Sequence, residues 1–190
     1  MKLFPLLPPG GYTAISVAGE YIFYFAVYSF LGWMLEGTYN LYSQGSFRKE
    51  GFLKGPVKPM YGFAPLLLLT LQRLELPLPL FLALVLIIPS LVEYISGWLL
   101  KGFFHKQWWD YSDMPRQLHG HICLKFSLYW WVLAAGCIYV LHPLIRLIYS
   151  SVRLLWIPLL PLVTLLFVLD LLWTWRVRRR SLNVLDPEEG

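Results

Sequence analysis

Residues 78–100 read LPLFLALVLIIPSLVEYISGWLL, with Glu93 as their one charged residue. A helix rises about 1.5 Å per residue, so this run is long enough to cross the ~30 Å hydrocarbon core of a bilayer. Lipid offers backbone groups no hydrogen-bond partner, which makes a helix the natural form for a single apolar run. Pro89 predicts a kink within it.

Outward from this run the pattern repeats. A first span is predicted over 20–42, a fourth over 122–141 and a fifth over 154–175. The fourth extends to Tyr149 if His142-Pro143 only bends it. The second apolar segment, 60–74, is short and carries Gly62 and Pro65. It either spans with help from the preceding Pro56–Pro59 stretch or enters and turns back. The expected fold is therefore all-α, a polytopic membrane helix bundle of about five transmembrane helices. Composition agrees: 57% of the chain is apolar and 14% charged, against about a quarter charged in soluble domains.

The leader, 1–19, is interrupted by Pro5, Pro8, Pro9, Gly10 and Gly11. A cleaved signal needs an unbroken apolar centre, so this reads as an extracytoplasmic leader. The bundle then occupies 20–175 and a basic tail 176–190. Placing the N-terminus outside puts Arg48, Lys49, Lys54 and Lys58 inside, with Lys101, Lys106, Arg116, Lys125 and the arginines of 176–180. Only Lys2, Arg73, Arg146 and Arg153 fall outside. The positive-inside rule then gives N-out and C-in. The same rule explains the net charge of +5 without nucleic acid, for which no basic groove or motif is present.

Acids inside spans are expensive and mark functional sites or interhelical contacts. Glu36, Glu93 and Asp170 all fall toward the cytoplasmic ends of their spans and could share one layer. Ser29, Glu36 and Asn40 lie on one helical face, as do Ser90, Glu93, Gly97 and Lys101. Two readings fit these stripes: hydrogen-bonded glue between helices, or a polar cavity for a substrate, ion or proton. His121 and Lys125 are natural counter-charges.

The loop Trp108-Trp109-Asp110-Tyr111-Ser112-Asp113 suits an aromatic belt, or a lid whose rings cover a cavity and whose acids read a polar ligand. His119, His121 and Cys123 give metal-compatible donor types, but no second cluster completes a site, so no metal is expected. Cys123 and Cys137 lie about 21 Å apart on one helix, too far to bridge. No G-x-S-x-G, H-E-x-x-H or G-x-x-x-x-G-K-[ST] is present. Any ATP-driven role would need a separate nucleotide-binding subunit, and no cofactor is expected.

Three stretches together resemble a known family. They are Gly32-Trp33-Met34-Leu35-Glu36, then Gly51-Phe52-Leu53-Lys54-Gly55-Pro56-Val57-Lys58-Pro59-Met60-Tyr61-Gly62-Phe63, then Glu93-Tyr94 with Trp108 to Asp113 and Gly120-His121-Ile122-Cys123-Leu124-Lys125. These resemble the putative ABC-transporter type IV, or CmpB-like, family of bacterial multi-spanning membrane proteins, over about Phe23 to Trp131. Glu36, Gly55, Pro56, Tyr61, Gly62, Glu93, Trp109, Asp110, Tyr111 and Ser112 match its pattern. The chain departs from it at Lys49-Glu50, where Asn-Arg is usual, and at His121, where Arg is usual.

The resemblance implies a permease-like, transport-associated protein of the bacterial inner membrane. The substrate-binding residues expected are Glu36, Asn40, Tyr61, Glu93, Trp109, Asp110, Tyr111, Ser112, His121 and Lys125. Expected partners are membrane lipids, a nucleotide-binding subunit and a second copy of the chain. A membrane-embedded enzyme acting on a lipid or isoprenoid, or a structural or regulatory subunit, are the alternatives.

Overall fold

The computed structural model describes residues 14–48 and 51–185. Most of the expected leader and the last residues of the tail lie outside this range. The elements are α1 (Ala14–Gln44), α2 (Pro59–Gln72), α3 (Leu78–Phe104), β1 (Gln117–Leu118), β2 (Ile122–Cys123), α4 (Leu124–Gly136), a π-helical turn (Cys137–Leu141) and α5 (His142–Leu185). The architecture is all-helical, as expected, and among the described residues one short antiparallel pair lies in the loop before α4, with Gln117 opposite Cys123 and Leu118 opposite Ile122. That pair delays the fourth helix to Leu124, because Ile122 and Cys123 are held extended.

Among the described residues two helical runs are long and apolar enough to cross a membrane. They are Leu78–Phe104, of 27 residues, and the continuous run Leu124–Arg180, of 57 residues. α1 has 31 residues and a more polar composition. α2 has 14 residues, starts at Pro59 and contains Pro65. At about 1.5 Å per residue it reaches only about 21 Å, short of a bilayer core.

Non-helical backbone completes what α2 lacks. Within this packing α2 runs antiparallel to α1. Tyr61 sits against Gly32, Gly62 against Phe25 and Ser29, and Arg73 over the Tyr21 ring. A Cβ on Gly62 would stand 2.5 Å from both Phe25 and Ser29, so glycine is what lets the helices close. The segment 51–58 therefore leads into the start of α2 at the middle of α1.

Its backbone groups find specific partners. The Lys58 N–H donates to the Ser29 carbonyl at 3.0 Å. The Gly55 N–H donates to Asp170 Oδ2 at 3.0 Å, and the Gly51 carbonyl accepts from Arg178 at 3.1 Å.

The last helical run cannot be straight. His142 meets Tyr28, Tyr149 meets Phe23, and the Trp156 indole donates to the Gly19 carbonyl at 2.8 Å. These contacts move toward the start of α1. Phe167 then meets Phe25, and Asp170 and Arg178 reach segment 51–58. The direction reverses between Trp156 and Phe167, where Pro158 and Pro161 lie. The π-helical turn just before Pro143 absorbs the ring that an α-helix would not accommodate. The sequence expected two spans here, over 122–141 and 154–175; the structure joins them in one bent helix that continues through the basic run 176–180.

The apolar core gathers around the first half of α1. Phe23, Tyr24 and Tyr28 pack with Leu68 and Leu69 of α2, Phe81 and Val85 of α3, and Ile145 and Tyr149 of α5. Leu154, Leu155, Leu162, Leu166 and Leu172 on α5 are instead exposed, as lipid-facing side chains would be.

Candidate functional site

Around the second half of α1 the packing opens into a cavity of about 1400 Å³. Phe167, Leu171, Val177 and Arg178 of α5 form one side of it, and the rest of its walls come from five pieces. Glu36, Tyr39 and Asn40 come from α1, Lys58 from segment 51–58, Tyr61 from α2, and Glu93 from α3. The fifth is the loop–α4 wall, with Trp109, Asp110, Tyr111, Tyr129 and Trp130. The helical spacing that put Glu36 and Asn40 on one face thus aims both at this space.

Glu93 is the most deeply placed acid, at 2% exposure. The Tyr111 hydroxyl donates to its Oε1 at 3.0 Å, and the Trp130 indole N–H donates to its Oε2 at 2.8 Å. Tyr111 is itself stacked on Phe126, with centroids 4.9 Å apart. Burial, followed by the neighbouring Glu93, holds the Tyr111 phenol well above its ordinary range.

Across the cavity, Glu36 Oε2 forms an ion pair with the Lys58 ammonium. Asn40 donates to the Ser46 carbonyl at 2.5 Å and fixes the chain where it leaves α1.

The aromatic loop lies against the cavity rather than out in a belt. The Trp109 indole donates to the His121 carbonyl at 2.9 Å. Asp110 Oδ1 accepts from the Ser112 N–H at 2.9 Å and its hydroxyl at 2.6 Å, and those bonds hold the Asp110 carboxyl below its ordinary range. Beside them Gly120 has φ +73°, and a Cβ there would stand 2.6 Å from Asp110. Glycine serves both the turn and the close approach.

The expected site residues therefore divide. Glu36, Asn40, Tyr61, Glu93, Trp109, Asp110 and Tyr111 are brought together on the cavity wall. Ser112 acts behind Asp110. His121 is buried behind the wall, edge-on to Tyr94 and close to Gly97. Burial, then Lys101 and His119, lower its pKa. Lys125 is exposed over the Tyr129 ring at 6.0 Å; among the described residues it pairs with neither acid. The counter-charge to Glu36 is Lys58, which sequence reasoning used only for topology.

Asp170 does not join the other two acids. It accepts from the Gly55 N–H and, at 3.3 Å, from the Thr174 hydroxyl. Trp130 was also missed, although an indole N–H in an apolar helix signals an acceptor nearby. Among the described residues no three His, Cys, Asp or Glu side chains group as metal ligands.

Long apolar helices around a polar interior define a membrane-associated helical protein. The profile of the family described as "Putative ABC-transporter type IV" matches residues 23–175, and the chain belongs to this family. The match includes the final helix, beyond the stretches that carried the resemblance in sequence. No curated protein and no solved structure matches the chain.

Proposed function

We propose that the protein is a permease-like, transport-associated subunit of a bacterial cytoplasmic membrane, with its cavity open toward the cytoplasmic face. In this reading it crosses five times, N-out and C-in. The passages are α1, segment 51–58 with α2, α3, α4 with the first limb of α5, and the second limb of α5. The basic residues of 48–58, 101–116 and 176–180 then share the inner side. Segment 51–58 supports the reading, because transporter sites are commonly built where a helix is broken at mid-membrane. The family's name points to ABC-transporter components as partners.

The single observation carrying the proposal is Glu93. A carboxylate at 2% exposure is costly to bury, and here it borders a 1400 Å³ cavity rather than a packed interface. A structural or regulatory subunit is the second reading, favoured by the two donors that already satisfy this acid.

Accessibility separates orientation and openness from the alternative. In a chain carrying Cys123→Ala and Cys137→Ala, Tyr39→Cys should react with a charged maleimide in inverted vesicles and not in intact cells. Glu75→Cys, between α2 and α3, should do the reverse. An unreactive Tyr39→Cys in both preparations would remove the open cavity. Purification from native membranes should also bring down an ATP-hydrolysing partner.

A further inference from the structure

We propose that the cavity binds a lipophilic ammonium ion, with its cationic head at Glu93 and its hydrocarbon tail in a second, apolar chamber next door. The proposal rests on the cavity being a ligand site and names the class of ligand.

The second chamber has a volume of about 420 Å³ and lies between α1, α2, α3 and α4. Small residues and prolines create it: Gly32, Ala64, Pro65, Pro89, Ala134 and Gly136 all line it, so no long side chain fills the middle. Its surface is almost wholly hydrocarbon. It adjoins the large cavity. Leu35, Met60, Tyr61, Trp130 and Leu133 line both. Trp130, whose indole donates to Glu93, thus borders both spaces. A molecule with its head at Glu93 would thus pass its tail along the same ring into hydrocarbon surroundings.

Charge sets the sign of the head. Among the described residues, the partners of Glu93 are a phenol and an indole, and no cation forms an ion pair with it. A buried carboxylate without a counter-ion gains most from a cation. Four basic residues line the cavity: Arg48, Lys54, Lys58 and Arg178. Lys58 is tied to Glu36, Lys54 lies over the Trp173 ring at 5.8 Å, and Arg178 donates to the Gly51 carbonyl.

The rings point the same way. Tyr61 and Trp130 meet edge to face, with centroids 5.1 Å apart, and Trp109 and Tyr111 flank the same acid's side of the cavity. Aromatic faces beside a carboxylate are the common recognition chemistry for alkylated ammonium groups. An anionic head would meet Glu93 and ring faces that repel it.

Equilibrium binding tests this with the full chain in phosphatidylglycerol nanodiscs. The probes are hexyltrimethylammonium, tetramethylammonium and hexyl sulfate, all soluble enough to limit partition into lipid. Hexyltrimethylammonium should bind saturably and at least about tenfold tighter than tetramethylammonium, with no saturable binding of hexyl sulfate. Glu93→Gln should weaken both ammonium probes about tenfold. Ala134→Phe, which fills the apolar chamber, should bring hexyltrimethylammonium down to the tetramethylammonium level and leave the latter unchanged. That variant and the chain-length series test the proposal even if Glu93→Gln does not fold.

Competition by phosphatidylcholine added to the discs would assign a lipid head group as the source, and its absence a free cation. Saturable hexyl sulfate binding, indifference to chain length, or a folded Glu93→Gln with full affinity would overturn the proposal. If Tyr39→Cys still labels in inverted vesicles in that case, the cavity stands and only its ligand class is wrong.

Discussion

The two halves of the bundle are held by different physics. Around the first half of α1, Phe23, Tyr24, Tyr28, Leu68 and Ile145 form a close apolar and aromatic core. Around its second half the apolar packing is a smaller cluster, in which Phe52, Phe104, Trp108 and Trp175 meet ring to ring. A cavity opens there, and a few polar bonds hold the walls: Gly55 to Asp170, Gly51 to Arg178, Lys58 to Glu36, and Tyr111 and Trp130 to Glu93. Apolar contacts are many and individually small, so the first half tolerates the loss of any one only in proportion to volume. In the second half single polar bonds carry more of the hold between segments.

The sharpest way to break this division is to damage the apolar half and look for an effect in the other. Leu68→Ala removes a side chain with no exposed surface and should cost about 2–5 kcal/mol, read as a lower unfolding midpoint in detergent. Maleimide labelling of Tyr39→Cys should stay unchanged at temperatures below that midpoint. Altered labelling would show that the halves are not independent.

Damage in the polar half should be smaller and local. Asp170→Ala leaves the Gly55 N–H without its acceptor and should cost about 1.5–3 kcal/mol, the range for hydrogen bonds to charged groups. Hydrogen exchange should quicken in 51–58 and stay constant in 64–72. Asp170→Asn keeps a carbonyl acceptor and should lose less. If exchange quickens equally in both peptides, segment 51–58 is not a separately held unit.

The same division governs what could be read in sequence. The long apolar runs announced the helices, because a span is a property of composition over some twenty positions. The shortness of 60–74 announced a helix of only 14 residues. Helical spacing placed Glu36, Asn40 and Glu93 on the cavity wall, since a face is fixed by intervals of three and four. Partners across the bundle were a different matter. Asp170 was grouped with Glu36 and Glu93 by depth alone, yet it serves Gly55, 115 positions away. Lys125 was chosen as the counter-charge for its place at the start of a span, whereas segment 51–58 delivers Lys58. Such pairings depend on how the helices are arranged around one another and on the bend near Pro158 and Pro161, which no local pattern encodes.

The finest test concerns the Glu36–Lys58 pair, whose side chains keep 28% and 18% exposure. Removing one partner strands the other, so Lys58→Met alone should cost about 1–2 kcal/mol, below the range for fully buried pairs because water still reaches both ends. Glu36→Gln with Lys58→Met should recover most of that loss. A loss in the double variant as large as in Lys58→Met alone would mean that the two side chains are not energetically coupled, and that the polar half is held by its other bonds.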